Sequence, residues 1–203
     1  MKKKLLAMVL ALALLPVISL SAGALEPQDF AGGSLSGLAA DKNALLVTDT
    51  FNKIIWRVEN GAVTRWAGKP GVADLHGEPS GAYVDAKLDE ARFMEPWAIA
   101  PYLDGYAVTD TAANVVRYVD GKTVRTAAGS GVKGQTNGSG ATVSFARPTG
   151  LAAGADGELY LADTDNGLIR RLDKQGKVTT WASGLEEPTG LCWANGVLYV
   201  AET

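Results

Sequence analysis

Three apolar runs in this chain end on a small residue, an aspartate and a threonine: Val47-Thr48-Asp49-Thr50, Val108-Thr109-Asp110-Thr111 and Leu161-Ala162-Asp163-Thr164. A fourth copy, Val200-Ala201-Glu202-Thr203, occupies the last four positions. Such recurrence restricts the fold to stacked copies of one supersecondary unit, because a single unit cannot bury its own apolar faces. The marker acids lie 61, 53 and 39 positions apart. One stretch accounts for the unevenness: Gly68 to Pro96 spans 28 positions, Gly129 to Pro148 spans 19 and Ser183 to Pro188 spans 5. Without it the units measure 33, 34 and 34 positions. A constant unit with one variable connection puts the insertions on one face of the array.

Each unit reads as four short strands. The first follows a proline, over 97–100, 149–152 and 189–192, with 36–39 as its equivalent in the first unit. The second ends at the marker acid. The third carries Ile54-Ile55-Trp56-Arg57, Val115-Val116-Arg117-Tyr118 and Leu168-Ile169-Arg170-Arg171, and the fourth covers 62–66, 123–127 and 177–181. Turn pairs such as Asn60-Gly61, Asp120-Gly121, Asp156-Gly157 and Asn195-Gly196 separate them, which makes antiparallel hairpins. Small sheets that are apolar on both faces need neighbours on both sides, and radial closure into a β-propeller supplies them. The expected class is therefore all-β, with four-stranded antiparallel blades at 36–68, 97–129 and 149–183 and a partial blade at 189–203.

The first 24 residues stand apart. Met1-Lys2-Lys3-Lys4 is a basic n-region, 5–20 an apolar h-region, and Ala22-Gly23-Ala24 a small-x-small cleavage site, so 1–24 is expected to be a secretory signal cut after Ala24. The domain is then 25–203, secreted or in the cell envelope, with no membrane span left after signal removal. Without the three lysines of the leader, 16 basic residues face 22 acidic ones, a poor balance for binding nucleic acid. The single cysteine, Cys192, admits no intrachain disulfide and reads as a small buried hydrophobe.

These residues resemble the NHL repeat family of β-propellers from Ser36 to Thr203. The fullest copy is Pro148-Thr149-Gly150-Leu151-Ala152, then 156–164 with its marker Asp163-Thr164, then Asn166 and Ile169-Arg170. The linkers Ala91-Arg92-Phe93-Met94-Glu95-Pro96 and Phe145-Ala146-Arg147-Pro148 look like that family as well. The resemblance implies a ring of about six blades, of the six-bladed TolB-like kind. Three full units and two partial ones fall short of that, so a truncated or partial sequence is expected. Gln28 to Ala31 reads as the outer strand that closes the last blade.

Asp49, Asp110 and Asp163 are expected to cap the turn between second and third strands by accepting turn amides, with the threonines beside them adding bonds. The asparagines that follow, Asn52, Asn114 and Asn166, suit a left-handed turn residue. A repeated acid can alternatively line one rim as a cation site. Residues 82–93 have the spacing of a short helix with Tyr83, Ala86, Leu88 and Phe93 turned inward; its acids Asp85, Asp89 and Glu90 read as a solvated face or, in a gluconolactonase-like enzyme, as metal ligands or base. With His76 as the only histidine, a multi-histidine zinc site is excluded. Gly129-Ser130-Gly131-Val132-Lys133-Gly134 spells a phosphate-loop pattern without the helix it needs. The reading is a secreted non-catalytic scaffold for a protein, peptide or glycan, with no obligate cofactor. Candidate contacts are Trp56, His76, Arg92, Arg117, Arg147 and Arg170. The alternative is a lactonase-like hydrolase or lyase that uses a divalent cation such as calcium.

Overall fold

The computed structural model describes residues 33–202. The expected leader 1–24 and closing strand 28–31 lie outside the described residues. The first blade is β1 (Leu35–Asp41), β2 (Ala44–Asp49), β3 (Ile54–Glu59) and β4 (Ala62–Ala67), paired in that order. The second holds β5 (Ala86–Lys87), β6 (Pro96–Tyr102), β7 (Gly105–Asp110), β8 (Val115–Val119) and β9 (Thr123–Ala128), in the order β5-β9-β8-β7-β6. The third holds β10 (Gly138–Ser139), β11 (Pro148–Ala153), β12 (Leu159–Asp163), β13 (Leu168–Leu172) and β14 (Lys177–Ser183), in the order β10-β14-β13-β12-β11. β15 (Gly190–Ala194) and β16 (Val197–Ala201) form a two-stranded start of a fourth. All pairings between these strands are antiparallel.

The inner strands β1, β6, β11 and β15 pack side by side. The packing needs glycine: a Cβ on Gly37 would lie 2.6 Å from the Trp97 carbonyl oxygen, and one on Gly150 would lie 2.4 Å from that of Thr189. Apolar cores fill the spaces between blades. Leu46, Ile55, Ile99, Val108 and Val119 pack between the first and second, and Ala107, Val116, Leu151, Leu159 and Leu161 between the second and third. Alternation along each strand sends successive residues to opposite blade faces, so every blade is apolar on both.

The threonines of the marker motif lock one blade to the next. Thr50, Thr111 and Thr164 donate to the carbonyls of Pro96, Pro148 and Pro188 at 3.0, 2.7 and 2.8 Å. Thr48 and Thr109 donate to Trp97 and Thr149, both at 2.6 Å. The proline after each connection and the threonine after each acid are thus two halves of one inter-blade contact.

Three expectations are corrected. Residues 82–93 form a small β-hairpin rather than a helix: Val84 bridges Arg92, and β5 pairs Ala86 with Val124 and Lys87 with Thr123. Three of the four inward residues survive the change, with Phe93 fully buried and Ala86 and Leu88 packed on the core, because one face of a hairpin serves as well as one face of a helix; Tyr83 is exposed. Cys192 is exposed. Leu191 and Trp193, its neighbours on β15, point at the third blade, so Cys192 points away, to a face that no further blade covers among the described residues. The residue closing each turn in the left-handed conformation is Lys53, Asn114 or Gly167, with φ of 61°, 55° and 61°. Of the three asparagines only Asn114 plays that part.

Candidate functional site

The insertions and the turns between second and third strands share one face, where the candidate residues gather. The three marker aspartates, Asp49, Asp110 and Asp163, are buried at 0% exposure, and each binds the chain that enters its own blade. Asp110 accepts the amides of Glu95 at 2.7 Å and Met94 at 3.0 Å, Asp163 that of Ala146 at 2.7 Å, and Asp49 that of Ser34 at 3.1 Å. A turn amide joins only at Asp49, from Asn52 at 3.0 Å. Asn52 and Asn166 instead use their side chains, each giving Nδ2–H to the acid at 2.8 Å. Burial pushes the Asp110 and Asp163 carboxyls up, and the amide and arginine donors work against it.

Arg117 and Arg170 stand seven residues after their acids, with side chains fully buried. Arg117 donates to Asp110 Oδ2 (3.1 Å), Arg92 O (3.1 Å), Val84 O (3.0 Å) and Asp85 Oδ1 (2.7 Å). Arg170 repeats the set on Asp163 Oδ2 (2.7 Å), Ser144 O (3.2 Å), Thr136 O (3.0 Å) and Asn137 Oδ1 (2.8 Å). The guanidinium carbons sit 5.2 and 5.3 Å over the rings of Phe93 and Phe145. All but one acceptor in each set comes from the insertion, so each arginine clamps an insertion onto its blade, and neither reaches solvent. Trp56 holds the same position in the first blade and gives its one N–H to Asp49 Oδ2 at 2.8 Å.

The other three candidates lie nearer the surface. Arg92 donates to Ser80 O at 3.0 Å and secures the base of a finger, residues 71–80. In the finger Asp74 Oδ1 accepts the amides of His76 and Glu78 at 2.8 and 3.0 Å, Ala73 bridges Pro79, and Lys53 pairs with Glu78 at 3.0 Å. His76 is at its tip with a side chain 91% exposed, beside Leu75, which is wholly exposed. Arg147 reaches Asp165 at 2.5 Å and Glu187 at 3.8 Å. Asp165 is held below the ordinary carboxylate range: partial burial acts against this, and Arg147 and Lys133 outweigh it. Beside this cluster an open groove of about 440 Å³ is lined by Thr164, Asp165, Asn166, Gly167, Leu185 and Glu187. Where the other connections lay an insertion, the five-position link from Ser183 to Pro188 leaves this space open. Among the described residues no three of His, Cys, Asp and Glu converge as ligands of one cation would.

Sequence reasoning missed Asp85 and Asn137 as clamp partners. The signal was the shared offset: each lies 32 or 33 residues before the arginine it meets.

Residues 145–172, from Phe145 beneath the clamp to the end of β13, match the model of the NHL repeat. This unit is an NHL repeat. The second unit repeats its marker acid, threonine and inner-strand proline, and solved structures of similar fold are β-propeller proteins. One is a structural genomics protein of unknown function from Bacteroides thetaiotaomicron VPI-5482, 20% identical, with a TM-score of 0.65 over 88% of this chain and 46% of that one. An auxiliary nutrient binding protein from the same organism is 12% identical, with a TM-score of 0.52 over 82% of this chain and 56% of that one. Virginiamycin B lyase from Staphylococcus aureus is 16% identical, with a TM-score of 0.50 over 88% of this chain and 65% of that one. The chain spans about half the length of the first two. At such identities the likeness is one of fold. No curated protein sequence matches this chain.

Proposed function

We propose that this NHL-type propeller is an exported binding scaffold that holds a protein, peptide or glycan on its insertion-bearing face. One observation carries the reading. Of the ten exposed large hydrophobic residues among those described, six (Val72, Leu75, Tyr83, Val84, Met94 and Val132) lie in the two insertions. Apolar groups held in water by a rigid loop are a standing cost unless something covers them, and such anchors dominate interfaces. His76, Arg92 and Arg147 add polar contacts on the same face. Auxiliary nutrient binding proteins on the same fold support a binding role in general. The basic and apolar leader of residues 1–24 supports export.

The test is to screen the full chain against peptide and glycan arrays and titrate any binder by calorimetry. Leu75→Ser and Arg147→Ala are expected to weaken binding about tenfold or more each, with stability changed by about 1 kcal/mol or less. Binding that ignores both substitutions, or a turnover of lactone or peptide substrates that depends on residues of this chain, overturns the reading.

A further inference from the structure

The interface between the second and third blades is filled differently from the one between the first and second. At the earlier interface Trp66 on β4 meets Tyr106 of β7 edge-on, with ring centroids 5.9 Å apart, and Leu88 of the insertion packs in the same core. Their equivalents one interface later follow from position. Trp66 stands two residues before Gly68, and Ala127 two before Gly129. The Gly68 amide donates to Leu88 O at 2.8 Å, and the Gly129 amide to Gly140 O at 3.0 Å. Tyr106 lies four residues before Asp110, and Leu159 four before Asp163. Tryptophan, leucine and tyrosine thus give way to alanine, glycine and leucine. The third blade keeps the indole: Trp181 stands two residues before Ser183 and meets Tyr160 with centroids 5.3 Å apart.

The smaller set leaves a cleft of about 280 Å³ between the two blades, toward the end where the β6–β7 and β13–β14 hairpins turn. Its walls include Tyr102, Tyr118, Arg125, Ala127, Gly140 and Lys174. The Tyr102 and Tyr118 rings stand edge-to-face with centroids 6.1 Å apart, and their hydroxyls donate to Asp173 O at 2.5 Å and to Asp104. The guanidinium carbon of Arg125, an exposed residue, lies 4.4 Å from the centroid of the Tyr118 ring. Stacking uses the face of a guanidinium and keeps its in-plane N–H donors for an acceptor. Among the described residues no carboxylate lines the cleft. The acids around it have work elsewhere. Asp104 accepts Tyr118, Asp120 the amides of Lys122 and Thr123 at 2.9 and 2.7 Å, and Asp173 those of Gln175 and Lys177, both at 2.9 Å.

We propose that this cleft binds a small planar aromatic molecule carrying a carboxylate, with its ring in the space that Trp66 fills one interface earlier and its carboxylate on the Arg125 guanidinium. The occupant is aromatic because the equivalent space holds an indole against a tyrosine, and this one offers two tyrosine rings to pack on. It is anionic because the charged residues of the walls, Arg125 and Lys174, are both cations, and an arginine fork suits a carboxylate. The site uses none of His76, Arg92 and Arg147 and does not depend on what the insertion-bearing face binds.

The probe is indole-3-acetate, titrated into the full chain by calorimetry. Saturation with a Kd of about 1 mM or below is expected for a molecule of this size. Ala127→Trp is expected to abolish binding while the chain stays folded, because Trp66 takes the same place at the earlier interface; circular dichroism and the thermal midpoint check the fold. Arg125→Gln weakens indole-3-acetate about tenfold and has little effect on 3-methylindole, which lacks the carboxylate. No saturation up to about 5 mM overturns the proposal. So does binding that survives in a folded Ala127→Trp chain, or an affinity indifferent to Arg125→Gln. Where Ala127→Trp does not fold, Arg125→Gln on its exposed side chain decides alone.

Discussion

Arg117 and Arg170 show how one residue type serves the frame of this molecule and not its surface. Each keeps a full charge away from water because four acceptors and an aromatic ring surround it, and each closes the last valences of a buried acid. Removing one partner strands the other, which is the costly way to break a buried pair. Asp163→Ala is therefore expected to destabilise the chain by about 3–5 kcal/mol in urea unfolding, while Asp165→Ala, on the partly exposed pair with Arg147, changes it by about 1 kcal/mol or less. Tyrosines set a limit at high pH. Burial pushes Tyr106 and Tyr118 up to about 12, and nearby acids, Asp41 and Asp104, reinforce the shift. A tyrosine raised in the folded state stabilises fully below its unfolded value, about 10, and that contribution is lost as pH rises to the folded value. Urea midpoints should hold steady up to about pH 10 and fall between there and about 12, with Tyr106→Phe removing part of the fall.

At the scale of the element, the inner strands depend on close approach. Gly150→Ala places a Cβ against the Thr189 carbonyl and should lower stability by about 1–3 kcal/mol, read from the thermal midpoint. Much of this architecture was legible from residues alone. The constant unit length, the proline that opens the later inner strands and the acid that ends each second strand located the blades. Trp56 was placed in register with Arg117 and Arg170 by counting. The fifth strands were not legible, because β5 and β10 are two residues each, too short for alternation to register, and residues 82–93 satisfy helical spacing equally well. The burial of Arg117 and Arg170 was hidden for a different reason: half their acceptors are the backbone carbonyls of Arg92, Val84, Ser144 and Thr136, which leave no side-chain trace. The acids were assigned to the turn they precede, whereas most of the backbone amides they accept come from the chain entering the blade, a contact between residues 15 to 17 positions apart.

At the scale of the whole molecule, the described residues divide into a repeated frame and two insertions clamped onto it. The arginine occurs where an insertion supplies its acceptors. In the first blade tryptophan takes its place and gives its single N–H to Asp49. Insertion and arginine thus behave as one unit, which leaves the insertion-bearing face free to vary in what it contacts while the frame stays constant. A double-mutant cycle tests this claim most directly. Residues 130–147 are replaced by the short link 184–187, Arg170 is replaced by tryptophan, and the unfolding free energies of the original chain, both single variants and the combination are measured in urea. Shortening alone should cost about 3–5 kcal/mol, because Arg170 stays buried without its partners, and Arg170→Trp should recover most of that in the combined variant. Strictly additive effects would contradict the account.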